Sequence, residues 1–432
     1  MVRVLLGVDE VATSCQTRKF AVWRAVCLCF LLAAVNGLNA SEPETAKEDN
    51  SKSQASLDEL LVDTPLLNDL LVDYEIPLIG GGWGGEIFID VPLNGEPEGA
   101  QITLRRAKAW YARNFGNDWR LKMTADYTDG GGLELSNTYF TYSGWDKTLL
   151  TLGINDPAFS LESVSQSAAL TFMERGLVVN ALAERRSGGV TFLRRNPKSI
   201  LNASLILFNV SRDDLQEDGQ GLVFHYVHSP IRIGRTRSVH VGGSLSYRWN
   251  TSEENTRFRS RPEVATINDY FVDTGEIAGA EKNGRIGLEA SHVAGRFSWQ
   301  SEIIAARIQR VDMANVYFWG AYAYASWFLT DDSRNYNFGS GSFEKIHVNK
   351  PVREGGWGAF ELGFRASYLD LSDGDVIGGR EKNLSLGLNW YLNRHLRLMA
   401  NVVKVMEVDR PGSEFDGQDP LSFSLRFQWV IH

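Results

Sequence analysis

The chain has 432 residues and a formal net charge of −9, with 22% charged and 43% hydrophobic residues. That length holds two or three ordinary domains or one large all-β unit, and the acidic balance argues against a nucleic-acid-binding domain, which is basic across its binding surface. All three cysteines, Cys15, Cys27 and Cys29, lie in the first thirty residues, so nothing beyond them depends on a disulfide or a thiol.

Residues 17–40, TRKFAVWRAVCLCFLLAAVNGLNA, set Arg18, Lys19 and Arg24 around the start of an apolar run from Val26 to Val35, with small residues ending at Ala40. This is the pattern of a secretory signal. The expected division is a signal peptide at 1–40, an acidic linker or short helical tail at 41–80 and a β-rich body at 81–432. Residues 41–80 carry a net charge of −8, against +2 for 1–40 and −3 for 81–432. The repeated Leu-Leu-Val-Asp at 60–63 and 70–73 fits either a short amphipathic helix interrupted at Pro65 or a disordered tether. No later stretch approaches the ~18 uninterrupted apolar residues of a membrane helix.

From Trp83 onward the dominant period is two. Trp119, Leu121, Met123, Ala125 and Tyr127 alternate with Arg120, Lys122, Thr124 and Asp126, and the pattern returns through Val239–Trp249, Leu384–Leu392 and Phe423–Ile431. Such segments are strands with one apolar and one polar face. A soluble sandwich alternates in the same way but uses strands of about five or six residues. Long alternating strands rich in Tyr, Trp and Phe, in a secreted chain without cysteine, predict an all-β fold, a transmembrane antiparallel β-barrel of about 16 strands.

Connector lengths orient the strands. Joints at NFGND, SGWDK, NPKS, HVAG and NRH are short and fall on the periplasmic side, while 155–186, 211–219, 251–283, 371–381 and 407–420 fall outside. Residues 329–356 are far too long for a turn yet land on the periplasmic side, so they are expected to fold into the barrel or against its mouth. In NTRFRSRPEV, Arg257, Arg259 and Arg261 occupy every second position, which puts all three on one face of an extended segment. A long outer loop of a wide barrel has room to turn inward, so this row is expected to face the lumen.

The stretches LRRAKAW at 104–110, TFMERGLV at 171–178, RFRSRPE at 257–263, GAFELGFRASYLDL at 358–371 and GLNWYLNRHLRLMANVV at 387–403 resemble, in their order and spacing, the phosphate-selective porins of the O and P type. The resemblance covers nearly all of 83–432. It implies a trimeric outer-membrane channel narrowed by inward-folded third and fifth outer loops and one periplasmic segment, with arginines down its wall. Carried over by position, the pore-lining, anion-binding residues are Arg105, Arg175, Arg257, Arg259 and Arg261. Strict alternation admits only one of Arg105 and Arg106 to the lumen; Arg105 is favoured because Leu104 and Trp110 then face lipid. The chain departs from the pattern at Ser163 and Ala168, where phosphate-specific members place lysines, and a lysine is the compact charge that holds a small oxyanion.

The expected function is passive diffusion of small inorganic anions, phosphate or polyphosphate first, through an arginine-lined pore in the outer-membrane lipid; the alternatives are a general non-specific porin and a secreted β-sandwich that binds carbohydrate through some of the twelve tryptophans. An enzymatic role is not expected, since the seven histidines are scattered without a Ser-His-acid pattern. No cofactor is implied, and acidic runs such as RDDLQEDGQ lack the spacing of a calcium loop.

Overall fold

The computed structural model describes residues 81–93, 102–128, 132–210, 219–249, 256–264 and 266–431. The signal peptide expected at 1–40 and the acidic tail expected at 41–80 lie outside them.

The alternating segments form one closed wall of 16 antiparallel strands. In chain order these are β1 (Gly81–Pro92), β2 (Thr103–Phe115), β3 (Trp119–Thr128), β4 in two pieces (Gly132–Leu135 and Thr138–Trp145), β5 (Thr148–Asn155), β6 (Ser187–Asn196), β7 (Ser199–Asn209) and β8 (Gln220–His228). They continue with β9 (Arg237–Trp249), β10 (Ala280–Ala294), β11 (Phe297–Arg310), β12 (Val316–Phe328), β13 (Ala359–Asp373), β14 (Val376–Tyr391), β15 (Leu396–Asp409) and β16 (Leu421–Ile431). The wall closes where β1 pairs with β16, in a register running from Gly85 opposite Ile431 to Pro92 opposite Ser424. Closure leaves no unpaired edge and rules out the two-sheet sandwich.

Period two now has a direction. On β16, Leu421, Phe423, Leu425, Phe427, Trp429 and Ile431 are exposed on the outer surface, while Ser422, Ser424, Arg426 and Gln428 are buried inside. This is the reverse of a soluble protein, and an apolar outer belt of this extent is at rest only against lipid. The packed core lies inside the barrel, where Phe159, Phe172, Leu177, Val178 and Phe258 from two connections press on Ile304, Phe318 and Tyr322 of the wall.

The connections sort by side, with one correction. Residues 371–381 do not form an outer connection of any length: β13 and β14 run through them and turn at Gly374, whose φ of +61° suits a residue without Cβ. The other long connections are 156–186 and 250–279 at one end and 329–358 at the other. In the last of these a small ribbon pairs Asn335–Asn337 with Ser342–Glu344 and buries Tyr336 and Phe343 completely. The Phe343 amide donates to Ser165 Oγ at 3.2 Å, so segments entering from opposite ends of the barrel meet within it.

Candidate functional site

The inward connection 156–186 carries two short helices, α1 (Leu161–Val164) and α2 (Leu177–Leu182). It is held by wall arginines that grip its main chain. Arg397 donates to the carbonyls of Leu170 at 2.7 Å and Thr171 at 3.3 Å. Arg426 reaches Met173 O at 2.5 Å, Arg365 reaches Glu174 O at 2.9 Å, and Arg285 reaches Leu182 O and Ala183 O at 3.2 and 3.3 Å. A buried guanidinium is tolerable only with acceptors for its fixed fork of donors, and carbonyls supply them here. Carboxylates hold the amide ends: Glu289 Oε2 accepts from Leu161 N at 2.5 Å, Glu302 Oε1 from Glu162 N at 2.8 Å, and Glu263 from Leu177 N at 2.9 Å.

Arg105 forms a two-pronged pair with Glu174 of the connection, at 3.1 and 2.9 Å, and Arg426 joins the same carboxylate at 2.9 Å. Burial alone would raise the Glu174 carboxyl, but Arg105 and then Arg426 hold it well below the usual range. Strict alternation fails at this point. A bulge between Phe88 and Ile89 of β1 leaves Arg105 as the extra residue on β2, so Arg106 also turns inward, bonded to Ser167 and 3.5 Å from Glu86. Trp110 is carried to the inner face as well, buried against Phe88, Ala168 and Val430 rather than against lipid.

The same phase brings in cations that alternation around Arg105 missed. Lys108 lies two residues beyond Arg106 and 3.4 Å from Glu86. Lys122 is on the inner face of β3, opposite Ala112, and acts on Glu86. Arg186, at the end of the connection, is 3.5 Å from Asp156. Arg106, Lys108, Arg175 and Arg186 are close enough to feel one another. The Lys-Ala-Trp of LRRAKAW carried this signal, but only for a reader who placed the bulge.

Arg175 is expected to contact anions, or else to pin the loop through a wall carboxylate. Its guanidinium donates to the carbonyls of Glu162 at 3.0 Å and Ser165 at 3.2 Å, closing the connection on itself. Ser163 is engaged in the capping of α1 by Ser160. Ala168 is buried among Phe88, Trp110 and Val430, an apolar setting in which a lysine ammonium has no partner from these neighbours. Ala168→Lys is therefore expected not to restore a lumenal lysine but to unseat the connection, lowering the temperature of heat-modified gel migration. An unchanged transition would show that the side chain escapes to the lumen.

In the connection 250–279, residues Arg259–Ser260 pair with Val272–Asp273 as a short ribbon. Phe258, Ser260 and Pro262 are buried, with Phe258 5.8 Å ring to ring from Phe318 on the inner wall. The three arginines therefore share the opposite face, away from the wall. Arg257 pairs with Asp273, with its Nε 2.7 Å from Oδ1. Burial would raise that carboxyl, but Arg257 and the Gly275 amide hold it below its usual value. Arg259 lies 4.0 Å over the Tyr270 ring, and Arg261 donates to Asn268 O at 3.1 Å. The row expected from sequence is present as a row, anchored at its first member by a carboxylate.

The inner surface thus sets Arg105, Arg106, Lys108, Lys122, Arg175 and Arg186 against Glu86, Asp90, Asp126, Asp156 and Glu174, with a second basic row in the connection 250–279. The sequence profile described as Phosphate-selective porin O and P matches residues 84–431. An uncharacterized protein of Caulobacter vibrioides is 28% identical over 337 residues, which cover 73% of this chain and 66% of that one, just under two thirds of its length. Porin O of Pseudomonas aeruginosa is 26% identical over 352 residues, covering 73% of this chain and 78% of its own. Among solved structures, the anion-selective porin from Comamonas acidovorans superposes with a TM-score of 0.50 at 10% identity, covering 81% of this chain and 99% of that one. Salmonella typhi OmpF gives 0.52 at 9% identity, covering 81% and 97%. At these identities the structural likeness establishes the fold alone.

Proposed function

Because the chain belongs to the phosphate-selective porin O and P family and is an outer-membrane porin, we propose that it passes small inorganic anions, phosphate or polyphosphate among them, and assembles as a trimer. The observation that carries this reading is the cluster of cations on the inner face, where Lys108, Lys122 and Arg106 gather at Glu86 and Asp126 is a further carboxylate acting on Lys108. Guanidinium and ammonium groups replace part of an anion's hydration at successive weak sites, which raises its local concentration without trapping it. Charges inside a narrow passage are screened less than charges on an open surface, where salt acts over about 8 Å.

The test is the reversal potential in planar bilayers under a salt gradient. Replacing Arg257, Arg259 and Arg261 together by Gln should lower the anion-to-cation permeability ratio, whereas replacing Arg232, Arg235 and Arg237 near the periplasmic mouth should change it less. Asp273→Asn should raise the ratio, because it frees Arg257 from its carboxylate. Equal effects from the two arginine sets would mean that the row is only a solvated loop.

Preference for phosphate is a separate matter, and the filled sites at Ser163 and Ala168 favour the plainer reading of a general anion porin. Phosphate added to a chloride solution should depress chloride current saturably if a phosphate site exists. A strictly linear response assigns the chain to general anion diffusion.

A further inference from the structure

Two histidines, a glutamate and a tyrosine form a closed node inside the barrel, apart from the basic surface. Glu289 on β10 lies opposite Gly242 on β9, and a Cβ at Gly242 would stand 2.4 Å from Glu289 Oε1. The missing Cβ lets the carboxylate lie across β9. There Oε1 meets His240 Nε2 at 2.9 Å and His225 Nε2, on β8, at 2.7 Å. His240 Nδ1 meets the Tyr336 hydroxyl at 2.5 Å, and that hydroxyl is 3.5 Å from Ser229 Oγ. The other oxygen of Glu289 accepts from Leu161 N at the start of α1. Each of these side chains is essentially inaccessible to water.

We propose that this node positions the constricting connection 156–186 against the periplasmic segment 329–358, and that acidification releases both. Its geometry fixes the proton count. For Oε1 to accept from both rings, each Nε2 must carry a proton, so in the neutral rings each Nδ1 is an acceptor. His240 Nδ1 then accepts a hydrogen bond from the Tyr336 hydroxyl, while His225 Nδ1 is buried with no partner among the described residues.

Histidine is the side chain whose ordinary titration falls between about pH 5 and 8. One added proton is balanced by the Glu289 carboxylate. A second exceeds the single charge of Glu289 in a dry site, and a buried charge without its own hydrogen-bonded partner is strongly destabilising. On His225 the new N–H has no acceptor; on His240 it forces Tyr336 to accept and to send its own proton toward the distant Ser229. The other charged groups close to the node are Glu302, which pairs in register with Glu289 and acts on it, Glu162 on α1, and Arg232 near Tyr336. Glu162 N already satisfies one oxygen of Glu302. The contacts that open are Leu161 N on Glu289 and Phe343 N on Ser165, which join the two segments to the wall and to each other.

The test is hydrogen exchange of the folded full-length protein at about pH 7.5 and about pH 5.5, with β16 as the internal reference for the chemical rate. This readout needs no current, so it fails or succeeds separately from the reading of the chain as an anion porin, on which the word constricting rests. Protection of 159–170 and 335–344 should fall together severalfold on acidification. His225→Gln with His240→Gln, which keeps neutral donors, should abolish that change; His347→Gln with His395→Gln should keep it. Gly242→Ala should reproduce the loosened state at about pH 7.5 by displacing Glu289, and it decides the matter if the histidine variant does not fold. Unchanged protection in the wild type at the lower pH, a response surviving in the histidine variant, or full protection in Gly242→Ala overturns the proposal.

Discussion

Replacing Lys108 and Lys122 together by Gln should collapse the anion-to-cation permeability ratio by at least an order of magnitude, more than any change among the loop arginines. The reason is what each cation already faces. Arg257 has its own carboxylate in Asp273, and Arg259 rests on Tyr270. Lys108 and Lys122 share Glu86 with Arg106, and Asp126 is the further carboxylate acting on Lys108, so the cations crowd few partners. With both lysines gone, Glu86, Asp126 and Asp156 set the local field with fewer opponents. A unit charge about 5 Å from a passing ion is worth roughly 3 kcal/mol at an effective dielectric of about 20, and about 1.4 kcal/mol is a tenfold ratio, so even a heavily screened contribution is visible. The measurement is the reversal potential of each single variant and of the pair. A ratio indifferent to the pair would place ion choice in the arginine row instead.

The second large effect is expected at Arg426. This guanidinium bridges Asp90 at 2.6 and 2.7 Å, Glu174 at 2.9 Å and Met173 O at 2.5 Å, all within the barrel. Arg426→Met leaves two carboxylates facing one another across the seat of the connection, with Arg105 alone to answer Glu174. Breaking a buried pair from one side costs about 3–5 kcal/mol. The loss should appear as noisy single-channel current and as a lower transition in heat-modified migration. Arg426→Met combined with Asp90→Asn should recover much of it, since the stranded charge is then absent. Arg426→Lys should recover little, because an ammonium cannot reproduce the two-pronged geometry. If Arg426→Met left both the current and the transition as in the wild type, the connection would have to be seated by its apolar contacts alone.

The wall was legible because its signal is local. A residue and its second neighbour share a face, so Leu421 to Ile431 announced an outward apolar row without any knowledge of β1. The excess length of 329–356 was legible by the same reasoning, since parity needs only a count of strands. The course of β13 into β14 was not, because Ser-Asp-Gly-Asp is a turn composition compatible with a long loop or with a tight hairpin. The basic surface was half legible. Arg105 turns inward to Glu174, but the bulge opposite Phe88 belongs to the pairing of two strands, and it brought Arg106, Lys108 and Trp110 inward against the simple alternation. For the loop row, one-sidedness followed from spacing alone, whereas the pairing of Arg257 with Asp273 depends on how the loop folds back as a ribbon.

Arg397, Arg426, Arg365 and Arg285 hold the inward connection largely by its carbonyls. Every amino acid brings the same carbonyl, so this grip is blind to what the connection displays toward the passage. Substitutions at its lumenal positions therefore leave its seat intact, provided they spare buried members such as Ala168 and Glu174. A lineage with this architecture can exchange the residues that meet the solute one at a time while the aperture keeps its course. Ion preference and channel shape become separately heritable traits.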